Sequence, residues 1–253
     1  MINIILVGAC GKMSSAVVSS LAKEKDIKII GGIEAAGNPM LGSPIGDGFI
    51  QADFTSIIKD TDVVVEFAIP EVTLDNVKIA SKANKPYIIG TTGLKDLNEI
   101  KKYSKQIPVL ISANFSLGVN ILYNLTESAA RSLKDFDIEI IETHHKMKRD
   151  APSGTAKNLA EIIRSAAKKD KIIYGRKGII GPRNKNEIGV MSIRGGDIVG
   201  EHNIMFIGNG ERIELIHRAT GRNAFASGVT KAIRFITKQK PGLYSMQDVI
   251  TAP

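Results

Sequence analysis

The sequence predicts an α/β protein: a doubly wound parallel sheet with an inserted α+β domain of mainly antiparallel sheet. Three observations predict it. Short apolar runs alternate with helix-period segments over the first 116 residues, the pattern of βα units and a parallel sheet. A glycine-rich turn follows the first of those runs directly. Beyond residue 136 the pattern changes to strand-like runs separated by Gly-Gly-Asp and Gly-Asn-Gly turns.

Ile2–Val7 is a continuous apolar run, suited to a strand buried on both faces. The turn Gly8-Ala9-Cys10-Gly11-Lys12-Met13-Ser14 follows, and then Val17, Val18, Leu21 and Ala22 at helical spacing. Ile27–Ile33 is a second strand, closed by Glu34. Strand, glycine turn, helix, strand and acid in this order make the Rossmann-like dinucleotide-binding plan. Glycines let the backbone approach a pyrophosphate, whose charge the helix N-terminus stabilises. The acid accepts hydrogen bonds from ribose hydroxyls. A glycine turn alone is often only structural; the strand, helix and acid around this one favour binding.

The alternation continues. Val63–Phe67 is an apolar strand with acidic Glu66 inside it, ending at Ala68-Ile69-Pro70. Val72–Lys82 reads as a helix. Tyr87–Ile89 is a strand closed by Gly90-Thr91-Thr92-Gly93, Leu97–Tyr103 a helix, and Val109–Ser112 a strand closed by Ala113-Asn114-Phe115. These loops follow carboxyl ends of successive strands, where doubly wound sheets bind ligands.

Leu117–Leu133 is a long helix, and Phe136–Thr143 a strand that opens a different region. His144–Thr155 then reads His-His-Lys-Met-Lys-Arg-Asp-Ala-Pro-Ser-Gly-Thr, before Ala156, Leu159, Ala160, Ile163 and Ala167 at helical spacing. A histidine pair in a loop is often merely solvated, and Ser or Thr before a helix is often only a cap. Here the cations gather where a helix N-terminus already favours negative charge. Proton donors and an anion cradle in one loop suggest acid-assisted chemistry on a carboxylate or phosphate. Ile188–Arg194, Ile198–Ile207 and Glu211–Arg218 are strand-like, with Gly195-Gly196-Asp197 and Gly208-Asn209-Gly210 as hairpin turns. Residues 168–187, rich in Gly and Lys, read as a mobile loop. Phe225–Thr237 is a final helix with a short tail. The expected division is a dinucleotide-binding domain of 1–116 and 223–253, and a substrate-binding and oligomerisation domain of 117–222.

Composition narrows the function. The chain of 253 residues has one cysteine, Cys10, which excludes a disulfide framework and a cysteine-based zinc site. No metal site is expected, because the His pair lacks spaced carboxylate or Cys partners. No run reaches membrane-spanning length, and no cleavable signal precedes the first strand, so a cytoplasmic protein is expected. Net charge is +8, but the cations are scattered, tryptophan is absent and aromatics make up 5%. That composition favours small anions over nucleic acid.

The motifs together resemble those of the 4-hydroxy-tetrahydrodipicolinate (dihydrodipicolinate) reductase family. The resemblance runs nearly end to end: Gly8–Ser14, Phe67–Pro70, Gly90–Gly93 and Ala113–Ser116 appear in order. The stretch Ile140–Ala156, which contains His144-His145-Lys146-Met147-Lys148 and Pro152-Ser153-Gly154-Thr155, is the family's specific signature. The resemblance implies NAD(P)H-dependent reduction of a cyclic dicarboxylate to tetrahydrodipicolinate and water, in lysine and diaminopimelate synthesis. It implies that His144 donates the proton, and that Lys148 donates or holds a substrate carboxylate. His145, Gly154 and Thr155 would bind substrate. The cofactor would lie on Gly8, Ala9, Cys10, Gly11, Lys12, Met13, Glu34, Phe67, Gly90, Thr91, Thr92, Ala113, Asn114 and Phe115. A homotetramer built through the inserted domain is also implied.

Departures from the family bear on the cofactor. Cys10 and Ser14 stand where glycine is usual, and Ala35 follows Glu34 where some members carry arginine for the 2′-phosphate of NADPH. NADH is therefore the expected preference, with both cofactors accepted. Two other readings stay open on sequence alone. One is another Rossmann amino-acid dehydrogenase, such as aspartate or homoserine dehydrogenase. The other is a non-catalytic NAD(P)-binding sensor.

Overall fold

The computed structural model describes residues 1–94 and 97–252. The chain divides into two compact units, Met1–Leu117 with Asn223–Pro253, and Gly118–Arg222.

In the first unit, β1 (Ile2–Val7), α1 (Lys12–Leu21) and β2 (Ile27–Ile33) form the opening βαβ unit. β3 (Pro44–Ile45), β4 (Gly48–Gln51) and α2 (Phe54–Ile57) precede β5 (Val63–Glu66), α3 (Pro70–Lys82), β6 (Tyr87–Ile89), α4 (Leu97–Tyr103) and β7 (Pro108–Ile111). After the second unit the chain returns as α7 (Asn223–Ile236), β13 (Gly242–Tyr244) and α8 (Met246–Thr251). One eight-stranded sheet results, in the order β13-β7-β6-β5-β1-β2-β4-β3. All of its pairings are parallel except β3–β4, which is antiparallel. Val17, Leu21, Val229 and Ile233 pack on one side, and Phe54, Val77, Ala80 and Ile100 in the other core cluster. Both faces are covered, so the central strands are mainly apolar rather than alternating, with the buried acid Glu66 in β5 as an exception. β1 lies between β2 and β5, so successive connections leave it in opposite directions. The glycine turn therefore stands at the switch point of the sheet.

The second unit contains α5 (Leu117–Ser132, from its second residue), β8 (Asp137–His144), α6 (Gly154–Ala167), β9 (Lys171–Tyr174), β10 (Glu187–Arg194), β11 (Gly200–Ile207) and β12 (Arg212–Ala219). Its five-stranded sheet runs β12-β11-β8-β10-β9. It is mixed: β12–β11 and β11–β8 are antiparallel, β8–β10 and β10–β9 parallel. Leu159, Ile163, Ile138, Ile140, Val190 and Phe206 share its core.

Three expectations need correction. Residues 168–187 are not simply a loop. They contain β9 at the sheet edge, and Arg176 and Arg183 tie the following segment to Glu139 and Glu187. Gly195-Gly196-Asp197 does not close a hairpin, because β8 lies between β10 and β11; Gly208–Gly210 does join the paired strands β11 and β12. The tail is not only a tail: β13 extends the large sheet beside β7, and α8 is closed by a capping box on Ser245.

Candidate active site

In the first unit the glycine turn is shaped by steric need. Gly8 has φ +74°, and a Cβ there would lie 2.4 Å from the Phe67 carbonyl oxygen. Gly11 caps α1 with extended backbone and no side-chain hydrogen bond, and the first turn holds no acid. The helix N-terminus is thus left for an external anion. Ser14, fully buried, donates to the Gly8 carbonyl (2.7 Å), so its hydroxyl braces the turn. Glu34 is held at the end of β2 by the Cys10 N–H (2.8 Å) and the Asn38 amide (3.2 Å). Gly8, Gly11, Glu34, Ala35 and Phe67 line a cavity of about 710 Å³. Ala9 is buried; Cys10 and Lys12 are exposed and Met13 half-buried. Burial and Glu34 push the Cys10 thiol above its ordinary value.

The remaining cofactor candidates belong to two neighbouring loops. The Phe67 ring covers Gly90, where a Cβ would lie 2.0 Å from it, and meets the Phe115 ring edge-on at 5.6 Å. Thr91 is buried, accepts from the Ala68 N–H (3.2 Å) and donates to Glu66 (2.9 Å); Thr92 is exposed. Asn114 follows Ala113 in a turn closed on the Ser112 hydroxyl, and its side chain accepts from the Ser116 N–H (2.9 Å). A glycine turn leading into a helix N-terminus with no side-chain cap, an acid at the end of the next strand and a cavity beside them fit a dinucleotide.

The second unit carries a cluster of titratable side chains. His144 is the last residue of β8, and its Nδ1 is 2.5 Å from Glu142 Oε2. Glu142 is fully buried. Its Oε1 accepts from Arg194 Nη2 (2.7 Å) and the Ser153 N–H (3.2 Å), and its Oε2 from Arg194 Nη1 (2.9 Å). Burial alone would raise this carboxyl, but hydrogen bonds from Arg194, Ser192 and His144 hold it down at about 2. His144 is lowered by burial; Glu142 opposes that, while Lys148 and Arg194 add to it. His202 packs edge-on to His144 with ring centroids 5.4 Å apart. Its Nε2 is 3.2 Å from Ser153 Oγ, while its buried Nδ1 has no hydrogen-bond partner. A bare lone pair costs less there than an orphaned N–H, so the proton belongs on Nε2. Burial, the largest effect, pushes His202 down to about 3.

Of the predicted substrate residues, Lys148 pairs with Asp150 (2.8 Å) and His145 donates its backbone N–H to Ile198 (2.7 Å). Ser153 caps α6, accepting from the Ala156 N–H (3.2 Å), and Gly154 and Thr155 are the helix's first two residues. A Cβ at Gly154 would meet nothing within 4 Å. Sequence reasoning missed Glu142, Arg194 and His202 as members of the cluster. Among the described residues no group of three or more His, Cys, Asp or Glu could hold a metal ion, and no helix is long and apolar enough to cross a membrane.

These features define a class: a two-unit protein with a Rossmann-like α/β unit and a second unit that carries a buried Glu142–His144 pair. Comparison with known proteins narrows it. Residues 2–115 match the family described as "Dihydrodipicolinate reductase, N-terminus", and residues 118–250 match its C-terminus. The chain is 42% identical to the 4-hydroxy-tetrahydrodipicolinate reductase of Aquifex aeolicus over 98% of both chains. It is also 42% identical to that of Methanocaldococcus jannaschii, over 99% of this chain and 97% of the relative. A dipicolinate-bound dihydrodipicolinate reductase from Paenisporosarcina sp. TG-14 shares the fold, with TM-score 0.82 and 24% identity over 97% of each chain. The chain belongs to the dihydrodipicolinate reductase family. Its reaction is reduction of 4-hydroxy-tetrahydrodipicolinate with NAD(P)H, in lysine biosynthesis.

Proposed function

We propose that His144 is the proton donor of this reductase, and that the loop from His145 to Thr155 holds the substrate's carboxylates. The observation that carries the reading is the Glu142–His144 pair. It engages Nδ1 and leaves Nε2 for exchange, next to Gly200, which offers no side chain to block it. Lys148 would exchange Asp150 for a substrate carboxylate, and the Gly154 and Thr155 N–H groups at the start of α6 would receive the other. His145 stands in the same loop as a further donor. A bound nicotinamide supplies the hydride. Electron density then collects on the ring system opposite the reduced carbon, and an imidazolium can neutralise it near neutral pH.

The cofactor reading places the pyrophosphate on the turn from Gly8 to Met13 and the adenine ribose on Glu34. Phe67, Gly90 to Thr92 and Ala113 to Phe115 would serve the nicotinamide side. Glu34, already fixed by Cys10 and Asn38, would repel a 2′-phosphate, and Ala35 gives no cation in return. NADH is therefore favoured over NADPH. Residues 1–116 with 223–253 act as the dinucleotide domain and 117–222 as the substrate and assembly domain.

We also propose a homotetramer. The face of the five-stranded sheet away from α6 presents Ile141, Met191, Ile193, Met205 and Ile216, with Ile193 and Ile216 exposed. Such a face needs covering. A cytoplasmic location goes with this biosynthetic role. The test of the central reading is His144→Gln. Turnover should fall about 10²–10⁴-fold with cofactor affinity nearly unchanged. Near-normal turnover would assign the acid elsewhere, to Lys148 or water.

A further inference from the structure

Glu66, the acid inside the β5 apolar run, is fully buried, and the reaction as described does not use it. Its Oε1 accepts from Thr73 Oγ1 (2.5 Å) and Thr91 Oγ1 (2.9 Å), its Oε2 from Asn76 Nδ2 (2.8 Å) and Tyr87 Oη (2.8 Å). Both oxygens are satisfied by neutral donors. Among the described residues no lysine, arginine or histidine forms an ion pair with it. Hydrogen bonds of this kind stabilise a carboxylate without cancelling its net charge. Inside a protein such a charge acts over longer distances than in water.

The position of this charge gives it a use. Asn76 lines the cavity that also holds Gly8, Gly11 and Glu34, and Thr91 stands in the Gly90–Gly93 loop. The carboxylate therefore lies one hydrogen bond behind the cavity wall and one behind a proposed nicotinamide loop. We propose that Glu66 is a positioning residue that favours the oxidised, cationic nicotinamide ring over the reduced, neutral one, and so favours hydride release. The inference rests on the cofactor reading above. The plain alternative is a brace: Glu66 ties β5, α3, β6 and the Thr91 loop together, and its charge has no further effect.

The two differ in a binding ratio. NAD⁺ and NADH share pyrophosphate and riboses, so the ratio of their dissociation constants isolates the ring charge. Calorimetric titration of the full-length protein should give Glu66→Gln an NAD⁺-to-NADH ratio about tenfold above wild type, about 30 mV for a two-electron couple. Asn76→Lys, which sets an ammonium against the intact carboxylate, should move the ratio the same way. Tyr87→Phe removes one brace and keeps the charge, so its ratio should stay within about twofold of wild type. Equal weakening of both forms in Glu66→Gln, or a Tyr87→Phe shift as large as that of Glu66→Gln, overturns the proposal. If Glu66→Gln does not fold, an unmoved ratio in Asn76→Lys overturns it alone. Tight wild-type binding with unmoved ratios defeats only this inference; wild type that binds neither form defeats the cofactor reading with it.

Discussion

Glutamine at position 142 keeps the shape of the buried acid and removes its charge, so it separates packing from electrostatics. Glu142 is held at about 2 from an ordinary 4.5. At about 1.36 kcal/mol per pKa unit, that favours the folded, ionised form by roughly 3 kcal/mol. The folded value is the depressed one. The contribution is therefore complete above pH 4.5 and is lost as pH falls through about 2. Glu142→Gln forfeits it at neutral pH and removes the charged partner of the half-buried Arg194 guanidinium, which keeps its bonds to the Ile193 and Asp150 carbonyls. Urea denaturation should show a loss of about 3 kcal/mol at pH 7, nearly the same at pH 5, and less at pH 3.

The same change acts on His144. Glutamine can still accept from Nδ1, so the tautomer survives, but the anion that raises the imidazole is gone. A donor must be protonated, so wild-type kcat/KM should decline as pH rises past a value below the ordinary 6.5. In Glu142→Gln that decline should begin at lower pH than in wild type, with about tenfold less turnover at neutral pH. Initial rates across pH, followed by nicotinamide absorbance, measure it. A loss of stability with an unmoved pH limb would refute the electrostatic role and leave Glu142 a structural acid.

Other outcomes follow from particular contacts. A Cβ at Gly200 would lie 3.0 Å from His144 Nε2, so Gly200→Ala should lower kcat roughly tenfold with unchanged NADH affinity, checked by steady-state kinetics and cofactor titration. Ala35→Arg should shift the NADPH-to-NADH ratio of kcat/KM about tenfold toward NADPH, and Lys12→Ala should reduce NADPH use more than NADH use, read from parallel initial rates. Light scattering should report a tetramer at micromolar concentration, and Ile216→Glu a smaller species; a wild-type monomer would contradict the proposed assembly.

The nucleotide half of the fold was legible because its signals are local. An apolar run, a glycine turn and an acid at the next strand end lie within 33 residues of one another, from Ile2 to Glu34. The cluster around His144 was legible only in part. Glu142 and His144 are two apart, which puts them on one face of a strand. The sequence reading ended that strand at Thr143, and the pair was hidden by one residue; β8 in fact includes His144. Arg194 and His202 could not be found locally. They arrive because β10 pairs Arg194 with His144 and β11 pairs His202 with Glu142, registers set by long-range pairing. The Gly195–Asp197 turn misled for the same reason: turn chemistry says that the chain reverses, not which strand enters the gap. β9 was missed because an edge strand is buried on few sides, and Lys171–Tyr174 carries only a weak apolar pattern.

The charges around His144 look ill-chosen for an acid, since Lys148 and Arg194 both lower its proton affinity. The difficulty disappears when the substrate is counted. In the free protein Lys148 is engaged by Asp150 and Arg194 by Glu142. On the proposed reading, a dicarboxylate held by the loop would add two negative charges near the imidazole and raise its proton affinity. His202, held at about 3, is too weak a base to compete, so the incoming proton goes to His144. The edge-on contact at 5.4 Å would become a repulsion if both rings were charged. The cations and the neutral neighbour therefore serve one purpose: on this reading the imidazolium forms with the substrate that needs its proton, and the free protein does not carry a buried positive charge to no use.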